Sequence, residues 1–201
     1  ALRTAQAAGL DIRGQQAVLD TALRGLLKHG VPPWTTLGIG RSVADKATRL
    51  AGKWIDHDVY GPAKTRANAV AISFEERLRR SIREAADPLA MAIRVSAAGN
   101  IIDFGAKDHA TLDLEGECEA IGTQPFGRFD LEEFRQRLAD ARDILFVCDN
   151  AGEIVFDVLL METLHELRPG LRIHAALRER PILNDATITD AYFSFPPNYK
   201  G

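Results

Sequence analysis

DILFVCDNAGEIVFDVLL, residues 143–160, decides the fold. A short continuous apolar run, ILFV, predicts a buried parallel strand. The run ends at Cys148, and then Asp149, Asn150, Glu153 and Asp157 crowd the edge of a core. AGEIVFDVLLMETLHELRPG, residues 151–170, reads as a helix that Pro169-Gly170 terminates. RIHAAL, residues 172–177, reads as a second strand, and RERPILNDATITDAYF, residues 178–193, as a loop leading into a helix start. Upstream, FDLEEFRQRLADARD, residues 129–143, is a predicted helix in which Asp130 and Glu133 have capping-box spacing. Strand and helix alternating at this spacing predict βαβ units on a parallel sheet.

The first half reads as helices. Val18, Leu19, Ala22, Leu23, Leu26 and Leu27 repeat at helical period within residues 15–29, and Gly30 with the following prolines ends that helix. Further helices are expected over residues 42–51, 62–86 and 88–98, the last stopped by a left-handed Gly99. GIGRSVAD, residues 38–45, follows no strand and reads as a loop and helix start, not as a dinucleotide-binding turn. The helical and α/β parts meet near residues 99–112.

The chain has 201 residues, is 46% hydrophobic and 26% charged, and carries a formal charge of −3. No run reaches the roughly 18 apolar residues of a membrane span. The N-terminal residues lack the apolar core of a signal peptide, and no basic tract suggests nucleic acid. Two cysteines, Cys118 and Cys148, lack the C-x₂-C spacing of a thiolate zinc site. A reduced, cytoplasmic protein is expected.

Ligands of open α/β sheets bind beyond the carboxyl ends of the strands. Asp149 and Asn150 stand at one such end, and Asn184 and Asp185 in the loop after the next strand. If the strands are parallel neighbours, Asp149, Asn150 and Asp185 open on one edge. Two carboxylates and an amide carbonyl form a hard-oxygen set suited to Mg²⁺ or Mn²⁺, with positions left for water or substrate. Backbone N–H groups at Ala151-Gly152 add a place for phosphate oxygens. Helix capping is the competing reading: Asn150 with Glu153 has capping-box spacing, and Asp185 precedes a helix. Glu153 or Asp157 is a candidate proton acceptor or water-orienting acid. In AAGNIIDFG, residues 97–105, Asn100 and Asp103 line a pocket or form a turn. Arg178 is a candidate phosphate contact or a surface charge. The five histidines show no metal-ligand spacing.

AAGNIIDFG, DNAGEIVFD and RPILNDAT, in this order, together with DVYGPAKTRANAVA (residues 58–71), resemble the signatures of the metal-dependent damage-control phosphatase family, long catalogued as domain of unknown function 89. The resemblance covers residues 1 to about 192. It implies a helical N-terminal region, residues 1–98, packed on a Rossmann-like, mainly parallel sheet domain, residues 99–201, incomplete at its C-terminal end. It also implies a divalent metal on Asp149, Asn150 and Asp185, with the Ala98-Gly99-Asn100 turn on the substrate side; Asp103, Gly152 and Arg178 stand beside it as candidate substrate contacts read from the residues themselves. The implied reaction is hydrolysis of a small phosphorylated metabolite, such as a sugar phosphate or a phosphopantetheine derivative. A methyltransferase using S-adenosylmethionine and a non-catalytic metabolite-binding module are the competing functions. Asn198-Tyr199 resembles the family's Asn-aromatic pair but lacks the preceding Lys-Gly, and the N-terminal cysteine pair of some branches is not present. Missing segments are therefore expected before Ala1 and near residues 193–197.

Overall fold

A computed structural model describes residues 1–29, 33–54, 57–100, 120–121, 123 and 125–194; for residues 29, 33–37, 192 and 193 it describes the backbone alone. The named elements are α1 (Leu2–Ala7), α2 (Ile12–His29), α3 (Pro33–Leu50), α4 (Gly61–Glu84), α5 (Pro88–Gly99), α6 (Leu131–Asp140), β1 (Asp143–Val147), α7 (Glu153–Leu167), β2 (Arg172–Ala176) and α8 (Ile188–Ser194). They form a mixed α/β chain that is mostly helical. Two compact units divide it: residues 1–63 with 178–187, and residues 64–177 with 188–201. The boundary expected at residue 98 followed secondary-structure content. Compactness divides the chain differently: most of α4 and all of α5 share a unit with the strands.

In the first unit, α1, α2 and α3 bury Ala5, Val18, Ala22, Val43 and Ala47. The expectation of a loop at GIGRSVAD is corrected here, because α3 runs without interruption from Pro33. Proline suits a first helical turn. Gly25 is the informative glycine of this helix pair. A Cβ there would lie 3.1 Å from Ile39 Cγ1, so its absence lets α2 and α3 approach closely.

The second unit is built around α7. Its residues from Ile154 to Met161 are all buried, as are Thr163 and Leu164. A helix apolar on all sides belongs in the middle of a core. Phe74, Leu78 and Ile82 of α4, Leu89, Ala92 and Val95 of α5, and Val155, Phe156, Leu159 and Leu164 of α7 share one cluster. Arg79 clamps α4 to α7, its Nη2 lying 3.0 Å from Glu162 Oε2 and 2.7 Å from Glu75 Oε1.

β1 and β2 pair in parallel, from Asp143 opposite Arg172 to Val147 opposite Ala176. They make a two-stranded sheet among the described residues. The fully buried strand expected from the apolar run is corrected. Ile144 and Phe146 pack on the core, whereas Leu145 is 69% and Val147 72% exposed. Strand side chains alternate between faces, and helices cover one face among the described residues. The expected capping box of α6 also does not form. Asp130 makes no cap hydrogen bond. Its carboxylate lies 2.5 Å from Arg128 Nε, and Glu133 pairs with Arg137 one turn on.

Candidate active site

The turn from β1 into α7 carries half of the predicted site residues: Asp149, Asn150, Gly152 and Glu153. The Cys148 N–H donates to the Ala176 carbonyl at 3.0 Å, which extends the strand pairing by one residue. Burial pushes the Cys148 thiol up to about 12, with Asp157 adding to the rise, so it stays protonated and apolar. Asp149 follows with its side chain exposed, and Asn150 is half-buried. Gly152 is the N-cap residue of α7, with φ 92° and ψ −52°. Only glycine adopts that backbone without strain.

Asn150 does not cap α7. Its Nδ2 donates to Glu153 Oε1 at 2.7 Å. The capping-box reading therefore gives way to a side-chain pair. This pair has a chemical consequence: with the amide nitrogen engaged by a carboxylate, Oδ1 is the atom that Asn150 has left for a cation. Asp149 beside it offers a carboxylate. The Gly152 N–H, expected to face phosphate, donates instead to Asn68 Oδ1 at 2.6 Å.

Asp157 sits one turn beyond Glu153 and is 8% exposed. Burial pushes its carboxyl up to about 7; the Ser96 hydroxyl opposes the rise, and the Glu153 and Asp149 carboxylates add to it. Ser96 Oγ donates to Asp157 Oδ1 at 2.7 Å, which gives the buried acid a partner on α5.

The AAGN turn meets this site through its glycine. Gly99 is the last residue of α5 and keeps a negative φ, so the expected left-handed helix end is corrected. Its lack of a Cβ serves packing: a Cβ there would meet the Glu153 Cα at 3.2 Å. Asn100 is exposed. Asp103, Cys118 and the Asn198-Tyr199 pair lie outside the described residues, as does most of the 193–197 segment.

Asp185 and Arg178 belong to the first unit, and Asp149, Asn150 and Glu153 to the second. Asp185 is buried. Its Oδ2 accepts from Arg178 Nε at 2.6 Å, and its loop is closed by Arg178 N–H donating to the Ala186 carbonyl at 3.0 Å. Arg178 is thus partnered by a carboxylate.

Sequence reasoning assigned no role to Lys64 and Asn68, although both stand in the DVYGPAKTRANAVA segment, and it missed Ser96 and Asp190. Lys64 and Asn68 had a readable signal, since polar residues four apart share one face of a helix. Both are buried.

The donor set fits a hard divalent cation. Carboxylate and amide oxygens are what such ions take. Asp149 and Asn150 bring one carboxylate and one amide oxygen to this turn, and among the described residues no group of three or more His, Cys, Asp or Glu could hold a metal ion. A separate cavity of about 490 Å³ opens along β1, lined by Phe129, Leu131, Phe134, Ile144, Phe146 and Leu160. Its described lining is apolar apart from Asp130 and contains none of the predicted site residues.

A parallel strand pair, a turn bearing oxygen-rich side chains and a central buried helix define a mixed α/β protein. The damage-control phosphatase ARMT1-like domain model matches residues 5–194, and the chain belongs to that family. It is 33% identical over 134 residues to a damage-control phosphatase of Archaeoglobus fulgidus, covering 67% of this chain and 46% of that protein. It is 34% identical over 143 residues to an uncharacterised protein of Methanocaldococcus jannaschii, covering 68% of this chain and 45% of that one. A crystal structure of a DUF89 family protein from Pyrococcus horikoshii shares the fold, with TM-score 0.80, 24% identity, and coverage of 96% of this chain and 65% of that one. The chain thus spans about half the length of the curated relatives it matches. Among the described residues, no helix is long and apolar enough to cross a membrane.

Proposed function

We propose that the protein is a metal-dependent phosphatase acting on a small phosphorylated metabolite in metabolite damage control. The observation that carries this reading is the Asp149-Asn150 pair at the strand-to-helix turn, with the Asn150 nitrogen engaged by Glu153. Family membership and the phosphatase name of the Archaeoglobus relative support it over S-adenosylmethionine-dependent methyl transfer or a non-catalytic module. The finer readings go with it: a cytoplasmic protein whose β1 and β2 belong to a Rossmann-like sheet.

Asp149 and Asn150 would supply oxygen donors to one Mg²⁺ or Mn²⁺, with Asp185 as the third donor that the family resemblance implies. When bound, such an ion neutralises phosphate charge and lowers the pKa of a water. The chain's own contribution is placement. Glu153 holds the Asn150 amide in one orientation, so that Oδ1 and not Nδ2 is presented. The start of α7 adds the positive end of a helix dipole near the phosphoryl oxygens. Arg178, already paired with Asp185, would orient that carboxylate; Asn100 and Asp103 remain proposed substrate contacts.

The test is release of phosphate from p-nitrophenyl phosphate and from a panel of phosphorylated metabolites, each with Mg²⁺, Mn²⁺ and other divalent ions. Turnover that requires metal, and that Asp149→Asn and Asp185→Ala each abolish without unfolding the chain, supports the proposal. Full activity in both variants removes the assigned ligands. Metal uptake without turnover on any phosphate removes the phosphatase.

A further inference from the structure

A buried polar chain runs beneath the Asp149-Asn150 turn. It starts at Lys64, 2% exposed, whose Nζ lies 2.6 Å from Asp190 Oδ2. Asp190, 6% exposed, accepts from Asn68 Nδ2 at 3.4 Å. Asn68 Oδ1 in turn accepts the Gly152 N–H at 2.6 Å. All four residues lie in the second unit. The chain links the start of α4, the first turn of α8 and the N-cap of α7.

The donor and acceptor roles run in one direction. A carboxylate accepts only, so Asp190 takes the NH₂ side of Asn68. The carbonyl side of Asn68 must then face the Gly152 N–H, a group that can only donate. Both neighbours fix the same amide orientation. A buried ion pair such as Lys64–Asp190 adds little net stability, because desolvation offsets its attraction. It does hold a carboxylate at one position, and that position sets Asn68. Gly152 needs such a hold. A glycine at positive φ has the widest conformational freedom of any residue, and it directly follows Asp149, Asn150 and Ala151.

We infer that Asn68, oriented by the Lys64–Asp190 pair, is a positioning residue that locks the Gly152 peptide and thereby aims Asp149 and Asn150 at their ligand. The inference rests on the metal-site reading proposed above. Asn68 touches neither metal nor substrate in this role. It acts through the backbone of the turn.

The experiment compares the wild type with Asn68→Ala and with the swap Asn68→Asp/Asp190→Asn. The swap conserves charge and keeps an acceptor for Gly152 and a donor between the two positions. Two quantities are read: amide hydrogen exchange at Gly152, and the dissociation constant for Mn²⁺ alone by calorimetry. Asn68→Ala is expected to speed Gly152 exchange at least tenfold, while the amides of Leu159 and Leu164 keep wild-type protection. It should also weaken Mn²⁺ binding about tenfold, and the swap should return it to within about threefold of wild type. A purely structural role would lower the melting temperature and leave Mn²⁺ affinity unchanged, which overturns the inference. Unchanged Gly152 exchange overturns it as well. If Asn68→Ala does not fold, Asp190→Asn tests the same link, with shifts of about threefold expected in both quantities; no shift overturns it. A wild type that takes up no Mn²⁺ sinks the metal reading and, with it, the aiming role, whereas unchanged Gly152 exchange beside normal Mn²⁺ uptake sinks the inference alone.

Discussion

Gly99, at the end of α5, lies directly against the backbone of Glu153, at the start of α7. A Cβ on Gly99 would sit 3.2 Å from the Glu153 Cα, 3.2 Å from Phe156 Cδ2 and 3.4 Å from the Glu153 Cβ. Two of the sequence signatures, AAGN and DNAGE, therefore meet at a point where one helix requires a glycine for contact and not for a turn.

Gly99→Ala is expected to destabilise the fold by about 1–3 kcal/mol, the usual cost of overpacking a close contact. The backbone of Glu153 cannot swing aside as a flexible side chain could. Because Glu153 anchors Asn150, the variant should lose metal affinity as well as stability. Urea unfolding and Mn²⁺ titration on the same sample check both. A change in neither would mean that α5 and α7 can separate freely at this point.

Asp157 gives a pH dependence. Its carboxyl rises from 3.8 to about 7, chiefly through burial. Below about pH 4 it is protonated in both the folded and the unfolded chain. Between about 4 and 7 the folded chain keeps the proton that the unfolded chain releases. Its contribution to stability is thus fully present in acid and is lost as pH rises through the folded value. The loss is on the order of 2–4 kcal/mol. The groups facing it are Ser96, Cys148, Glu153 and Asp149. Asp157→Asn should flatten this part of the urea-midpoint profile. Ser96→Ala, which removes the hydrogen bond that favours the ionised form, should push the carboxyl higher and steepen the loss above pH 7. Identical profiles for wild type and Asp157→Asn would show that another group titrates there.

Much of this was legible along the chain. The break from ILFV to DN marked the strand end, and the apolar length of EIVFDVLLM marked α7. Periodicity did not show that α7 is buried on all sides, because a continuous apolar run has no face to read. GIGRSVAD misled through its glycines: Gly38 and Gly40 lie inside α3, which continues through both. Lys64 and Asp190 were unreadable as a pair: 126 residues separate them, and each alone looks like a surface charge. The spacing of Asn150 and Glu153 was read correctly, but its meaning was not. The same three-residue interval serves a helix cap or a side-chain pair, and only the start of α7 at Glu153, after Gly152, decides between them.

Glu153 supports a prediction that separates placement from proton transfer. Its Oε1 accepts the Asn150 amide at 2.7 Å. Glu153→Ala removes the acceptor and releases the amide to rotate. The expected result is a fall of tenfold or more in kcat for p-nitrophenyl phosphate and weaker Mn²⁺ binding. Glu153→Gln keeps an oxygen in the same place but abolishes the carboxylate as a base. Loss of a working general base typically costs about 10²–10⁴ in rate, whereas a positioning role survives the amide. The expected outcome is a kcat within about threefold of wild type, with an unshifted pH profile and restored Mn²⁺ affinity. A hundredfold loss in Glu153→Gln, at unchanged metal affinity, would move Glu153 from holding Asn150 to handling the proton of the attacking water.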